Sequence, residues 1–151
     1  MKWDLAMTVI VHGLPAPQGS KRFVGLSRSG RGILVESSAK VKPWREAVKA
    51  AVVDALSKCR LRPLDEPVSA RMTFTLPKPA SSPKRRRTRP MRKPDLSKLI
   101  RSTEDALTDG GLLADDARIV HLEAWKVYPC EGTDALETPG AVIHIYRLMD
   151  P

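Results

Sequence analysis

The chain has 151 residues, a length typical of one domain that buries roughly two-thirds of its unfolded surface. Its net charge is +9, and the basic residues are concentrated in a proline-rich segment, so nucleic acid is favoured over a membrane as partner. No stretch approaches the ~20 apolar residues of a membrane span, and the start MKWDLAMTVIV does not resemble a signal peptide. Two cysteines, Cys59 and Cys130, are too few for a disulfide framework or a cysteine-based zinc site, so we expect a soluble intracellular protein.

The first sixty residues predict two strands and one helix. Residues 7–13 (MTVIVHG) are apolar and β-branched, which is typical of a buried strand. Residues 14–31 are rich in proline, glycine and cations and predict a loop, and residues 33–36 predict a short strand. In residues 41–58, apolar side chains recur at three- and four-residue steps around Pro43, which predicts an amphipathic helix.

The remainder predicts three strands and a second helix. Residues 68–76 alternate apolar and polar side chains, so we expect a strand that is buried on one face. Residues 96–108 return to the helical period, with Asp95 at the N-cap position and Gly110-Gly111 at the end. Residues 119–127 and 141–148 predict the last two strands. This order indicates a compact single domain over residues 1–151, of the α/β (α+β) class, with a mixed β-sheet and two main helices packed on it.

Residues 77–94 form a basic segment with five prolines, eight lysines or arginines and no acid. Such a composition cannot pack a core, so we expect an exposed loop that is mobile without a ligand. Its cations predict contacts with DNA phosphates and binding that weakens steeply with salt, without base stacking because aromatic residues are not interleaved. A solvated loop without a partner is the alternative. The predicted DNA-binding residues, including three outside the segment, are Lys21, Arg22, Lys84, Arg85, Arg86, Arg87, Arg89, Arg92, Lys93 and Lys98.

Carboxylates follow the basic segment directly. Asp95 comes immediately after it, and Asp115 and Asp116 form an adjacent pair beyond a Gly-Gly turn. Oxygen ligands of this kind suit Mg²⁺, which activates water and offsets charge on a phosphodiester under attack. A helix cap at Asp95 and a polar turn at Asp115-Asp116 are the alternative interpretations.

Residues 93–120, KPDLSKLIRSTEDALTDGGLLADDARIV, resemble the signature region of the RusA-type Holliday junction resolvases. That signature reads approximately D-x-D-N-L-x-K, then D-A-L, a glycine-containing turn and D-D. Asp95 matches the first acid, Asp105 begins the D-A-L, and Asp115 and Asp116 match the final pair. The opening GLPAPQGSKR is also similar to that of the family.

The resemblance implies a structure-specific endodeoxyribonuclease that resolves four-way DNA junctions as a homodimer. It implies a bacterial or phage-encoded cytoplasmic protein of DNA recombination and repair, with Mg²⁺ (Mn²⁺ is possible) as cofactor. The implied catalytic residues are Asp95, Asp116 and Arg101, with Arg101 in place of the family's lysine. The implied metal ligands are Asp95, Asp115 and Asp116.

One departure from the signature concerns the metal site. Ser97 stands where the family has its second acid, and Lys98 stands at the following asparagine. The site could work with one carboxylate fewer, another acid such as Glu104 or Asp105 could substitute, or the chain could bind junctions without cutting them well. A non-catalytic protein that binds branched DNA or RNA is therefore the alternative function.

Overall fold

The computed structural model of the chain describes residues 2–19, 21–36 and 39–149, with the backbone alone for residues 21–24 and 33–36. The elements in these ranges are β1 (Lys2–His12), β2 (Lys21–Leu26), β3 (Gly32–Glu36), α1 (Val41–Cys59), β4 (Val68–Thr75), α2 (Leu96–Asp109), a 3-10 turn (Asp116–Arg118), β5 (Ile119–Val127) and β6 (Gly140–Met149). Cys59 and Cys130 are exposed free thiols. In the described ranges, no helix is long and apolar enough to span a bilayer.

A four-stranded sheet in the order β1-β6-β4-β5 forms the centre of the fold. Strands β4 and β5 are parallel, whereas β6 pairs antiparallel with both of its neighbours. The core lies between this sheet and the two helices: Trp44 of α1 and Leu107 of α2 are buried with Val9, Phe74 and Ile143 of the strands. The predicted α+β domain with a mixed sheet and two main helices is confirmed.

Helix α2 is the crossover between the parallel strands β4 and β5. Since β4 and β5 run in the same direction, the connecting helix must run back along the sheet. The basic segment and the start of α2 therefore lie towards the carboxyl edge of β4. The end of α2 and the turn at Asp115-Asp116 lie towards the opposite edge, where β5 begins.

The prediction of a loop over residues 14–31 is wrong for its second half. Strand β2 pairs antiparallel with β3 as a separate two-stranded sheet, with an irregularity between Phe23 and Gly25. The turn is closed by the amide of Ser27, which donates to the carbonyl of Arg31 at 2.7 Å, and Gly30 adopts a φ of +81° there. Cross-strand hydrogen bonds stabilise this hairpin, although its sequence has the glycines and cations of a loop.

Strand β4 differs from the predicted half-buried strand. Seven of its residues are buried, and Arg71 is the exposed one. Residues of the β5–β6 connection cover part of its second face, where the amide of Leu136 donates to the Thr75 hydroxyl at 2.9 Å. Strand β1 also begins earlier than predicted, at Lys2, because its pairing with β6 continues to the pair Lys2–Met149, irrespective of hydrophobicity.

Candidate active site

The end of helix α2 places Asp116 against that helix. After Asp109 the chain turns through Gly110 and Gly111, and Gly111 adopts a φ of +90°, a conformation that favours glycine. The chain then returns, so that the Asp116 carboxylate accepts a hydrogen bond from the Thr108 hydroxyl. The neighbouring Asp115 carboxylate accepts from the amide of Ala117 at 2.7 Å and caps the 3-10 turn that leads into β5.

Acidic side chains are crowded around Asp116. Burial raises the pKa of Asp105, a hydrogen bond to Asp116 raises it further, and the Arg45 guanidinium, 3.5 Å away, acts in the opposite direction. Burial also raises the pKa of Glu104, as does repulsion by Asp116 and Asp105, while Arg101 opposes this shift. The site thus gathers more negative charge than its arginines neutralise.

An open groove of about 330 Å³ exposes this cluster to solvent. Its lining residues are Arg45, Asp105, Thr108, Asp109, Asp115 and Asp116. Within the described ranges, no group of three or more histidine, cysteine, aspartate or glutamate side chains is arranged to hold a metal ion. The two carboxylates of Asp105 and Asp116, which line the same groove, nevertheless fit Mg²⁺, because that ion is usually held by one or two carboxylates, with waters and substrate oxygens completing its shell.

Asp95 lies at the other end of helix α2. Its half-exposed carboxylate is 3.6 Å from the Lys98 ammonium, and it makes no capping hydrogen bond to the described residues although it occupies the N-cap position. Ten residues at 1.5 Å each separate it from Asp105, or about 15 Å along the helix axis. The structure therefore places Asp115 and Asp116 close to Asp105 and Glu104. Within one chain, Asp95 lies apart from this cluster.

A second groove, of about 550 Å³, surrounds Asp95. It is lined by Arg92 and Lys93 of the basic segment, by Lys98, and by apolar side chains such as Leu76 and the mostly buried Tyr128. The predicted DNA-binding cations Lys93 and Lys98 therefore border Asp95, at the opposite end of α2 from Asp116.

The basic segment forms no helix or strand, and its predicted DNA-binding cations are exposed. Two side chains of the following strand and loop anchor it. The Lys126 ammonium donates to the carbonyls of Arg92 and Pro94, both at 3.0 Å. The Glu131 carboxylate accepts from the Lys78 ammonium at 3.0 Å and from the Thr88 amide at 3.3 Å. The mobility of the segment stays a prediction.

The remaining predicted DNA-binding residues, Lys21 and Arg22, belong to strand β2, and their side chains lie outside the described part of the chain. The predicted catalytic cation Arg101 is exposed on α2, next to Glu104. Arg45 and Thr108 were not predicted as site residues. Thr108 could have been predicted from the sequence, because it lies three residues after Asp105, and Asp109 lies four residues after Asp105. All three residues therefore share one face of α2.

The model of the endodeoxyribonuclease RusA family matches residues 13–144, most of the chain. The chain belongs to the RusA endodeoxyribonuclease family. The predicted resemblance is thereby confirmed, and membership supports a DNA-binding nuclease that acts on Holliday junctions. A comparison with curated proteins gave no significant match.

Proposed function

We propose that this RusA-family protein is a Mg²⁺-dependent endonuclease that resolves four-way DNA junctions as a homodimer during recombination or repair. The observation that carries the proposal is the pair of Asp105 and Asp116, which line one solvent-open groove with Arg45 beside them, while Arg101 lies next to the neighbouring Glu104. A two-fold symmetric dimer suits the two-fold symmetry of a four-way junction.

The chemistry of the donor set supports a hard divalent cation. All of its donors are carboxylate or hydroxyl oxygens, and the raised pKa values of Asp105 and Glu104 indicate negative charge that a cation would offset. When bound, Mg²⁺ lowers the pKa of a water molecule and offsets charge on the phosphodiester. Mn²⁺ prefers similar oxygen ligands and is the expected substitute.

The chain's own residues would hold this site in position. Thr108 orients the Asp116 carboxylate through its hydroxyl, and Arg45 holds Asp105 from helix α1. Arg101, one turn before Asp105 on the exposed surface of α2, would contact a phosphate beside the scissile bond. The expected products carry a 5′-phosphate, as in most hydrolyses of this type.

The replacement of the family's second acid by Ser97 occurs at the Asp95 end of α2. Asp105 and Glu104 lie beside Asp116 instead, which supports the alternative in which other acids supply the carboxylates. For Asp95 we retain the predicted role in cleavage as a proposal, and its placement among Lys98, Lys93 and Arg92 also suits a role in fixing the DNA-binding cations.

A non-catalytic branched-DNA-binding protein is the second candidate function. It is favoured by the departure at Ser97 together with the lack, in the described residues, of a ligand group of three or more acids. Under this alternative the acidic groove would bind a cation too weakly for hydrolysis, while the basic segment would still bind phosphates.

Cleavage of a labelled synthetic four-way junction tests both candidates. The reactions contain Mg²⁺ or EDTA, with a linear duplex as control substrate. We expect paired, Mg²⁺-dependent nicks in the junction, lost in Asp116→Asn and strongly reduced in Asp105→Asn, with junction binding retained. Asp54→Asn, which removes an exposed carboxylate of α1 paired with Lys58, is the matched control and should cut normally.

The same assay separates the roles of the two ends of α2. Asp95→Asn that abolishes cleavage but not binding would assign Asp95 to the reaction, whereas altered junction affinity would assign it to DNA binding. Tight junction binding by the wild-type protein without nicks would contradict the proposal and favour the second candidate.

A further inference from the structure

The sheet has a second face that helices α1 and α2 do not cover. Residues paired directly across neighbouring strands project to the same side of a sheet. Arg71 is paired with Glu123, and Thr73, two residues on, is paired with Trp125. These residues alternate with the core residues Met72 and Phe74, so their side chains project away from the helices.

Trp125 is held on this face by a chain of polar contacts. Its indole N–H donates to the Glu123 carboxylate at 3.2 Å, and that carboxylate lies 3.4 Å from the guanidinium of Arg71. The Arg71 guanidinium in turn lies 5.9 Å from the centre of the Tyr146 ring. These contacts join side chains of three strands and fix the orientation of the indole. About half of Trp125 (51%) is nevertheless exposed to solvent.

Two arginines of the basic segment lie next to this indole. Arg87 and Arg89 line the same groove as Trp125 and Arg71, with a volume of about 380 Å³. Arg87 crosses the backbone of the β5–β6 connection at Gly132, where an added Cβ atom would lie 2.9 Å from the guanidinium. Glu123 is paired with Arg71, and Asp134 is hydrogen-bonded to His144 at 2.9 Å. The three arginines of the groove therefore outnumber its two acids, and Arg87 and Arg89 leave a positive charge for a ligand.

We propose that Trp125 is a stacking platform for the base of an unpaired nucleotide, with Arg87 and Arg89 holding the adjoining phosphates. An exposed, oriented aromatic ring beside arginines is the combination that binds single-stranded DNA, because every base offers a ring face. A fully paired duplex keeps its bases stacked inside, so this subsite selects DNA with unpaired bases, such as those at a branch point. The inference rests on the DNA-binding function proposed above and adds a base contact to the expected phosphate contacts.

The test is the affinity for a fluorescein-labelled dT₁₂ oligonucleotide, measured by anisotropy in EDTA so that cleavage plays no part. We expect Trp125→Leu to weaken binding roughly tenfold, the loss typical of removing one base–aromatic stack. Trp125→Phe keeps a ring and should stay within about threefold of the wild-type protein. Ile10→Ala is the matched control, because Ile10 lies in the same row of the sheet through Val142 and Thr73 and is equally exposed at 51%.

Two outcomes would overturn the inference. One is equal affinity for dT₁₂ in the wild-type, Trp125→Leu and Trp125→Phe proteins. The other is a Trp125→Leu protein that becomes monomeric in sedimentation while binding dT₁₂ normally, since the face would then contact a second copy. Failure of this inference can be told apart from failure of the nuclease proposal. The dT₁₂ measurement does not depend on cleavage, and Asp116→Asn should bind dT₁₂ normally even if no variant cuts a junction.

Discussion

The hydroxyl of Thr108, near the end of helix α2, donates a hydrogen bond to the carboxylate of Asp116, eight residues further along the chain. Between the two residues the chain reverses through Gly110 and Gly111, so this hydrogen bond fixes a carboxylate that the turn alone would leave free to rotate. We expect Thr108→Val, which keeps the shape and removes the hydroxyl, to lower junction cleavage about 10- to 100-fold, the usual effect of losing a residue that orients a metal ligand. Thr108→Ser should restore most of the rate, and equal rates in all three proteins would contradict the positioning role.

Mg²⁺ should stabilise the folded protein through the same carboxylates. A ligand at 100 times its dissociation constant adds about 2.7 kcal/mol of stability, or a Tm increase of about 5–10 °C in a domain of this size. Differential scanning fluorimetry with increasing MgCl₂ should show this increase in the wild-type and Asp54→Asn proteins. Asp105→Asn and Asp116→Asn should lose most of it, and an increase common to all four proteins would indicate binding elsewhere.

Glu104 gives the stability of the protein a specific pH dependence. Its folded-state pKa is raised above 4.5, so the native chain binds this proton more tightly than the unfolded chain. The free energy of unfolding therefore decreases as the pH rises from about 4.5 through the folded-state pKa, and at neutral pH the charged carboxylate is destabilising. In EDTA, Glu104→Gln should raise the Tm by about 1–2 °C at pH 7.5, allowing for solvent screening, and the difference should vanish below pH 4.5.

Glu46→Gln removes an exposed carboxylate of helix α1 and controls for the change in net charge. A Glu104→Gln protein that is less stable than the wild type at pH 7.5, or whose Tm difference does not change with pH, would show that burial and repulsion by Asp116 and Asp105 do not raise the pKa of Glu104.

The anchoring of the basic segment by Glu131 predicts how readily trypsin cuts it. The Glu131 side chain is only 15% exposed and accepts hydrogen bonds from both Lys78 and the Thr88 amide. Glu131→Ala should accelerate cleavage within residues 84–93 roughly fivefold or more. This is the effect expected when the free energy of local opening of the segment falls by about 1 kcal/mol. Glu137→Ala, an exposed carboxylate of the same connection, should leave the rate unchanged, and mass mapping of the first fragments checks the site. Equally fast cleavage in all three proteins would mean that the segment is mobile despite these contacts.

Hydrophobic periodicity predicted most of the fold. Helix α2 and strand β6 lie within one or two residues of their predicted bounds, because their apolar residues face one core. Strand β5 also has its predicted bounds, although its apolar residues Val120, Leu122 and Trp125 are exposed. Strand β2 was missed, since a hairpin held by its own hydrogen bonds needs no apolar stripe. The burial of both faces of β4 was missed for a different reason: it depends on Leu136, about sixty residues away in sequence.

The sequence predicted part of the candidate site. Asp115 and Asp116 stand out as an adjacent pair, but the position of Asp105 beside them depends on the reversal at Gly110-Gly111. The separation of Asp95 from Asp116 follows from the direction of α2 between two parallel strands, which spacing alone does not reveal. The role of Trp125 was not predicted, because its arginine neighbours precede it by more than thirty residues.

The length of helix α2 has a geometric consequence for the substrate. The helix separates Asp95 from Asp105, which lies beside Asp116, by about 15 Å along its axis. A DNA strand advances about 3.4 Å per nucleotide along the duplex axis, so this distance corresponds to roughly four nucleotides. A rigid helix of this length would act as a molecular ruler, keeping a constant offset between the phosphate that is gripped and the bond that is cut.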